Sequence, residues 1–152
     1  MSRAIVLDST PLGLLTQRPG HSPEVDAILD WLDDLLANGV TVYLPEITDY
    51  EVRRELRRSG KTASIRRLDR FAALLIYLPL TTEAMRLAAD LWAQARNNGW
   101  ATADPKSLDG DVILAAQALT LAPTPASLVV ATQNVGHLSR YVPAQEWQVI
   151  TP

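Results

Sequence analysis

The chain has 152 residues, of which 47% are hydrophobic and 20% charged, and this composition predicts one folded domain rather than a disordered chain. It contains no cysteine and two histidines, which excludes disulfides, thiolate nucleophiles, iron–sulfur clusters and Cys-ligated zinc and disfavours a multi-His metal site. The formal net charge is −3, and the 17 acidic residues leave oxygen-ligand metal chemistry open.

Apolar runs short enough for buried strands alternate along the chain with segments of helical periodicity. Capping residues followed by proline mark helix starts, as at Ser22-Pro23, and Asn-Gly pairs mark helix ends, as at Asn38-Gly39. The predicted strands cover residues 4–7, 40–44, 76–80, 128–131 and 147–150. A polar loop over residues 100–108 is expected to precede a buried helix over residues 112–121. This order predicts an α/β fold with a mostly parallel sheet, in a single domain over residues 1–152.

No segment predicts export or membrane insertion. The N-terminal apolar run, residues 4–7, is too short for the hydrophobic region of a signal peptide. The longest apolar stretch, residues 71–80, is too short to span a bilayer and contains Pro79. We therefore expect a cytoplasmic protein with no membrane association.

Basic residues are concentrated in residues 53–70, called here the arginine-rich segment. It contains eight of the 14 Lys and Arg residues and two acidic ones, a local net charge of +6 against −9 for the rest of the chain. Seven of the eight are arginine, which matches phosphate or carboxylate bidentately and favours an anionic partner. The alternative is a solvated helix face that keeps the protein soluble. The candidate contacts are Arg53, Arg54, Arg57, Arg58, Arg66 and Arg67.

Several acidic and polar residues directly follow the predicted strands. Others lie in the helices that are joined to those strands, at the start of the helix or within it. In an open parallel sheet, ligands bind beyond the carboxyl ends of the strands, so we expect these side chains to meet at one edge. Carboxylates that are forced together repel one another, and Mg²⁺ or Mn²⁺ relieves that repulsion and binds water for chemistry. The residues are, in chain order, Asp8, Glu51, Asp109, Asp111, Thr132 and Asn134.

Each of the acids has a simpler interpretation when taken alone. Asp8 and Asp109 are candidate helix caps, and Asp111 would favour a helix N-terminus through the helix dipole. Glu51 lies beyond capping reach, and its alternative is a surface ion pair with Arg54, which contributes little stability. It is the joint placement of these acids that indicates a site.

Four stretches together resemble a PIN-domain ribonuclease, most closely a VapC-type toxin of a bacterial toxin–antitoxin pair. They are residues 5–9, 44–56, 109–116 and 131–138, and the resemblance covers nearly the whole chain. It implies a PIN-like α/β/α sandwich and an acidic pocket that uses Mg²⁺ or Mn²⁺ to hydrolyse RNA phosphodiester bonds. It also implies an RNA substrate, an antitoxin partner and a homodimer, for which we expect the apolar surface of the third to fifth helices to be buried.

The same resemblance implies which acids hold the metal. The first is Asp8 at the end of the first strand, and the third is Asp111, with Asp109 as a nearby extra carboxylate. The second is placed at Glu51, with Glu55 one helical turn later as the rival. One carboxylate, Asp111 or Asp8, would orient or deprotonate the attacking water.

The fourth acidic position of the family departs from the pattern in this chain, because it holds Asn134. A neutral amide can still contact a metal or its water, but it adds no charge and leaves a second metal open; its alternative is a turn residue. Thr132 matches the family's small hydroxyl beside that position. His137 stands where an aromatic or apolar residue is common, and we interpret it as structural.

The sequence predicts a metal-dependent endoribonuclease whose arginine-rich segment follows the RNA backbone. The main rival is a non-catalytic PIN-like module that binds RNA or an acidic protein through that segment, and Asn134 favours this rival. A receiver domain would need an acidic pair after the first strand. A haloacid-dehalogenase-like phosphatase would need a second aspartate where this chain has Thr10.

Overall fold

The computed structural model describes residues 3–100 and 105–152. In chain order the elements are β1 (Arg3–Leu7), α1 (Ser9–Leu15), α2 (Pro23–Ala37), β2 (Thr41–Pro45), α3 (Glu46–Arg58), α4 (Thr62–Leu74), β3 (Ile76–Leu78), α5 (Thr82–Asn97), α6 (Pro105–Leu119), β4 (Ser127–Ala131), α7 (Val135–Leu138), β5 (Ala144–Gln145) and a 3₁₀ turn (Trp147–Val149). The five strands form one sheet in the order β3-β2-β1-β4-β5, and every pair is parallel. In the described part of the chain, no helix is long and apolar enough to cross a membrane.

The central strand β1 pairs with β2 on one side and with β4 on the other. Ile5 lies opposite Val42 in β2 and Val129 in β4. Residues 4–7 are almost completely buried, as expected for a parallel strand with both faces covered. The chain therefore becomes polar only where β1 ends, at the carboxyl edge of the sheet.

Two apolar cores lie on opposite faces of the sheet, because side chains alternate along each strand. Ile5 and Leu7 belong to the core built with α1, α2, α3 and α4. Val6 and Val130 belong to the core built with α5, α6 and α7. This α/β/α sandwich with a parallel sheet confirms the predicted fold class.

Local signals in the sequence correctly placed the ends of several helices. The Ser22 hydroxyl accepts a hydrogen bond from the Val25 amide at 3.1 Å and caps α2, and Thr81 caps α5 in the same way. Such a cap contributes about 1 kcal/mol. Gly39 follows α2 with a φ of +73°, a conformation that glycine adopts without a steric penalty.

The last strand was predicted wrongly. Residues 147–150 were expected to form it, but the strand is β5, Ala144–Gln145, and Trp147 begins the 3₁₀ turn. The Trp147 ring packs against Trp31 at 5.7 Å, and the Trp31 indole N–H donates to the Ile150 carbonyl at 2.9 Å. The apolar residues here serve packing against α2, whereas the more polar residues before them pair with β4.

The start of α6 was also predicted wrongly. The expected loop over residues 100–108 lies partly outside the described residues, and α6 already begins at Pro105, consistent with the preference for proline in the first helical turn. Asp109 and Asp111 therefore occupy interior helix positions. Neither can cap the helix, so the simpler interpretations of these two acids do not apply.

Candidate functional site

Asp8 lies at the carboxyl edge of the sheet, directly after β1. One oxygen of its carboxylate accepts from the Ser9 amide at 2.7 Å, so Asp8 caps α1. The other accepts from the Thr132 hydroxyl at 2.7 Å, and Thr132, just after β4, is 1% exposed. Capping and site formation are therefore compatible, because each uses a different oxygen.

Glu51 approaches the same edge from α3, which follows β2 without a loop. The buried Thr48 hydroxyl donates to the Leu7 carbonyl at 2.8 Å and ties the first turn of α3 to the end of β1. Glu51 stands three residues later, on the same helix face. Burial raises the pKa of Glu51, the charge of Asp8 raises it further, and the charge of Arg54 lowers it.

The Glu51 carboxylate also reaches α6 at Gly110. A Cβ atom at Gly110 would stand 2.8 Å from Glu51 Oε2, too close for a real contact. Glycine inside a helix costs about 1 kcal/mol relative to alanine. Here that cost has a clear reason, because the missing side chain admits the carboxylate one residue before Asp111.

Asp111 completes the group of three carboxylates, called here the acidic pocket. Its pKa is raised to about 7, first by burial, then by the charge of Asp8 and then by that of Glu51. The Asn134 amide nitrogen lies 3.4 Å from Asp111 Oδ2 and favours the charged form. Asp8, Glu51 and Asp111 come from separate parts of the chain, and the charges of Asp8 and Glu51 both act on Asp111, so the tertiary structure brings the three together.

Two other candidate acids lie apart from the acidic pocket. Glu55 is exposed and forms a hydrogen bond with Arg58, which lowers its pKa. Of the two rivals on α3, the structure thus brings Glu51 and not Glu55 to Asp8. Asp109 is exposed and lines the groove between α5 and α6.

One imidazole and one guanidinium side chain lie beside the acidic pocket, and neither of them was assigned to the site from the sequence. His137 Nδ1 is 3.9 Å from Asp111 Oδ2 and 3.2 Å from the Asn134 amide nitrogen. The Arg140 guanidinium donates to the Trp100 carbonyl at 2.6 Å, and its charge lowers the pKa of Asp111. The three-residue spacing of Asn134, His137 and Arg140 would have indicated a shared helix face, but α7 is too short for its periodicity to be visible in the sequence.

A buried glutamine on α6 connects the elements that carry the acids. Gln117 is 4% exposed, its carbonyl oxygen accepts from the Ile47 amide at 3.1 Å, and its amide nitrogen donates to the Leu78 carbonyl at 2.8 Å. These bonds link α6 to the start of α3 and to the end of β3. They fix the relative positions of the helices that carry Glu51 and Asp111.

Arg53, in the arginine-rich segment, belongs to an internal network. It contacts Asp49 at 3.0 Å and Asp69 at 2.8 Å, and the Tyr77 hydroxyl donates to Asp49 at 2.6 Å. Burial and the hydrogen bond to Asp49 raise the pKa of Tyr77, so the phenol remains a donor. This network joins α3, α4 and β3, and Arg53 is therefore engaged within the fold.

The other candidate arginines differ in their contacts. Arg57 and Arg66 are exposed, and within residues 3–100 and 105–152 neither forms an ion pair. The remaining three have intramolecular partners, namely the Tyr50 ring 5.0 Å from the Arg54 guanidinium, Glu55 for Arg58, and the Thr16 carbonyl 3.3 Å from Arg67.

The residues of the acidic pocket fit a hard divalent cation. Across the described residues, no group of three or more His, Asp or Glu side chains is already arranged to hold an ion directly. The donors are nonetheless carboxylates, and the pKa values of Glu51 and Asp111 are raised first by burial and then by repulsion from neighbouring carboxylates, which a cation would relieve. Mg²⁺ is commonly held by one or two carboxylates and several waters, which suits this arrangement.

Comparison with known proteins gave structural matches alone. No protein-family model and no curated protein sequence matches the chain. The fold is similar to a chain in the crystal structure of VapBC2 from Rickettsia felis bound to a DNA fragment from their promoter. That match has a TM-score of 0.69 and 17% identity and covers 95% of this chain and 98% of the other.

Two further solved structures agree. A chain of VapBC-1 from nontypeable Haemophilus influenzae matches with a TM-score of 0.64, 19% identity and coverage of 95% and 98%. A chain of DNA-bound VapBC from Salmonella typhimurium matches with a TM-score of 0.65, 19% identity and coverage of 97% and 99%. This chain therefore has the fold found in VapBC toxin–antitoxin complexes, the α/β/α sandwich of PIN domains.

Proposed function

We propose that this chain is a metal-dependent endoribonuclease, the toxin of a toxin–antitoxin pair, and that it acts in the cytoplasm. The observation that carries the proposal is the convergence of Asp8, Glu51 and Asp111 at one buried edge of the sheet, where burial first and then the charges of Asp8 and Glu51 raise the pKa of Asp111 to about 7. Like charges held together reduce stability unless they bind a cation or perform chemistry, so such a cluster indicates function. The fold shared with chains of VapBC complexes supports the same conclusion.

Mg²⁺ or Mn²⁺ would be held by Asp8, Glu51 and Asp111, in part through water. When bound, the ion activates water and the scissile phosphate and offsets charge in the transition state. Asp109 is left out of this set because it lines the groove between α5 and α6. Since Asn134 adds no charge, the three carboxylates suit one divalent ion better than two.

The side chains of the acidic pocket would orient and deprotonate the attacking water. One carboxylate of the pocket, Asp111 or Asp8, would accept a proton from that water. The Asn134 amide orients the Asp111 carboxylate. Thr132 and the Ser9 amide hold Asp8 from two sides, so that its carboxylate does not need to reorganise during the reaction.

The first test removes the charge of Asp8 and keeps the shape of its side chain. In Asp8→Asn, we expect cleavage of a labelled single-stranded RNA with Mn²⁺ to fall by about 10²–10³-fold, the effect of removing one charged group from a site that stabilises a transition state. Asp30→Asn on the exposed side of α2 is the matched control and should cleave at the wild-type rate. Full activity in Asp8→Asn with an unchanged melting temperature would contradict the proposal.

The second test uses the pH dependence of stability. The folded state binds more protons than the unfolded chain between the ordinary pKa of Asp111, 3.8, and its raised value of about 7. The metal-free protein should therefore lose stability as pH rises through this window. A cation needs the carboxylates ionised, so its stabilising effect should increase with pH.

We expect Mn²⁺ at about 100 times its dissociation constant to raise the melting temperature by about 5–10 °C at pH 8. At pH 5.5 the increase should be smaller, and in Asp111→Asn it should be reduced at both pH values. Thermal unfolding followed by circular dichroism provides the measurement. No shift at pH 8 in the wild-type chain would argue against a metal site.

The third test concerns RNA binding by the arginine-rich segment. Among the described residues, Arg57 and Arg66 are the exposed candidates for which no ion pair, ring contact or side-chain hydrogen bond is seen, so they are the ones most available for phosphate. In an Asp8→Asn background that spares the RNA, the double variant Arg57→Gln/Arg66→Gln should reduce the slope of log K against log[salt] by about 1.4, or 0.7 per phosphate lost. Arg86→Gln, an exposed arginine on α5, is the control. A slope identical to that of the control would exclude phosphate contact by this pair.

The rival function is a non-catalytic PIN-like module that binds RNA or an acidic protein through the arginine-rich segment. The neutral Asn134 and the lack, within the described residues, of a ready-made ligand group favour it. If this rival function is the correct one, the arginines would still bind RNA, but Mn²⁺ would neither raise the melting temperature nor support RNA cleavage. The second test therefore separates the two functions.

We also propose that the chain forms a homodimer and binds an antitoxin. Exposed apolar side chains lie beside the outer strand β3, namely Leu74, Ile76 and Leu80, which are 63%, 51% and 36% exposed. Light scattering should give twice the chain mass of 16.7 kDa, and Ile76→Lys should give the monomer. A monomeric wild-type chain would contradict the dimer. The antitoxin should stop RNA cleavage at a fixed molar ratio.

A further inference from the structure

The imidazole of His137 stands at the rim of the acidic pocket. It belongs to α7, whose packing is provided by its neighbour Leu138, which is completely buried. The His137 side chain is 37% exposed, so the ring is not required to fill the core. Its Nδ1 atom lies 3.9 Å from Asp111 Oδ2. The ring is therefore exposed to a ligand that enters the pocket beside Asp111.

Asn134 determines which way the lone pair of the imidazole points. Its amide nitrogen lies 3.2 Å from His137 Nδ1 and 3.4 Å from Asp111 Oδ2. An amide nitrogen only donates, so Nδ1 is the acceptor in this contact and its lone pair faces the Asn134 amide. The same amide contacts the Asp111 carboxylate, so an ion bound by both side chains, through the donor atoms Nδ1 and Oδ2, would take the place of these two contacts.

The distance between these two donors suits a shared ion. Bonds from a transition ion to imidazole nitrogen and to carboxylate oxygen are about 2.0–2.2 Å, so a single ion can join atoms up to about 4.2 Å apart. The 3.9 Å separation of His137 Nδ1 and Asp111 Oδ2 lies within that limit. The other charged group on this side, Arg140, donates to the Trp100 carbonyl.

We propose that His137 contributes a nitrogen ligand to the divalent ion of the acidic pocket, so that the pocket selects Mn²⁺ or a similar transition ion over Mg²⁺. This inference rests on the proposed function. Mg²⁺ prefers an all-oxygen environment, whereas first-row transition ions accept imidazole and carboxylate together. The neutral Asn134 then stands where another acid would have favoured a second, hard ion.

The test detects the nitrogen directly, without relying on activity. Mn²⁺ bound to the full-length chain is examined by pulsed electron paramagnetic resonance, in which a coordinated ¹⁴N nucleus modulates the echo. We expect ¹⁴N modulation in the wild-type chain, its replacement by the ¹⁵N pattern when histidine alone is ¹⁵N-labelled, and its loss in His137→Phe. The chain has one other histidine, the exposed His21, and His21→Asn is the control that should retain the signal.

Affinity gives a second readout. Loss of the ligand in His137→Phe should weaken Mn²⁺ binding by about tenfold or more and leave Mg²⁺ binding within about twofold. His137→Gln, which offers a second oxygen, should lose the preference for Mn²⁺ and keep Mg²⁺ binding.

The outcomes distinguish this inference from the proposed function. If Mn²⁺ binds, Asp8→Asn weakens it, and no ¹⁴N modulation is present in the wild-type chain, His137 is not a ligand and the nuclease proposal stands. An unchanged ratio of Mn²⁺ to Mg²⁺ affinity in His137→Phe would likewise overturn the inference. Failure of the wild-type chain to bind Mn²⁺ at all would overturn both.

Discussion

The mutual repulsion of three carboxylates is the constraint on which the site of this protein depends. Asp8, Glu51 and Asp111 come from different elements, and the burial they share raises the pKa of Asp111 to about 7. A fold selected for stability alone would separate or neutralise these groups. The sheet instead keeps these carboxylates close to one another, because the ends of β1 and β4 and the start of α3 all meet at the same edge.

Uncharged contacts hold the charged groups in place. Thr48 ties α3 to the end of β1, Gln117 ties α6 to α3 and β3, and Gly110 leaves the space that Glu51 fills. The side chains of Thr48 and Gln117 are buried, and each of their polar atoms has a hydrogen-bond partner. Among the described residues, no buried side-chain nitrogen or oxygen lacks a partner. The polar frame around the acids is therefore satisfied by hydrogen bonds, and the repulsion between carboxylates is the unfavourable interaction at this edge of the sheet.

The arginines of the arginine-rich segment differ in their surroundings within the fold. Arg53 belongs to a network with Asp49 and Asp69 that joins three elements, whereas Arg57 and Arg66 remain exposed. A count of charges along the chain treats these residues alike. Which arginine has a carboxylate partner depends on how α3 and α4 pack, and a partner such as Asp69, 16 residues from Arg53, is not visible in a local pattern.

Much of the fold followed from the sequence because its signals are local: apolar runs predict buried strands, Ser22 and Gly39 mark the ends of α2, and acids after strands indicate the ligand edge. The sequence could not place α6, because Pro105 and Asp109 both resemble helix starts. It also could not choose between Glu51 and Glu55, which lie on one helix four residues apart. Only the tertiary structure shows which of the two lies near Asp8, because the direction of α3 against β1 turns Glu51, and not Glu55, toward it.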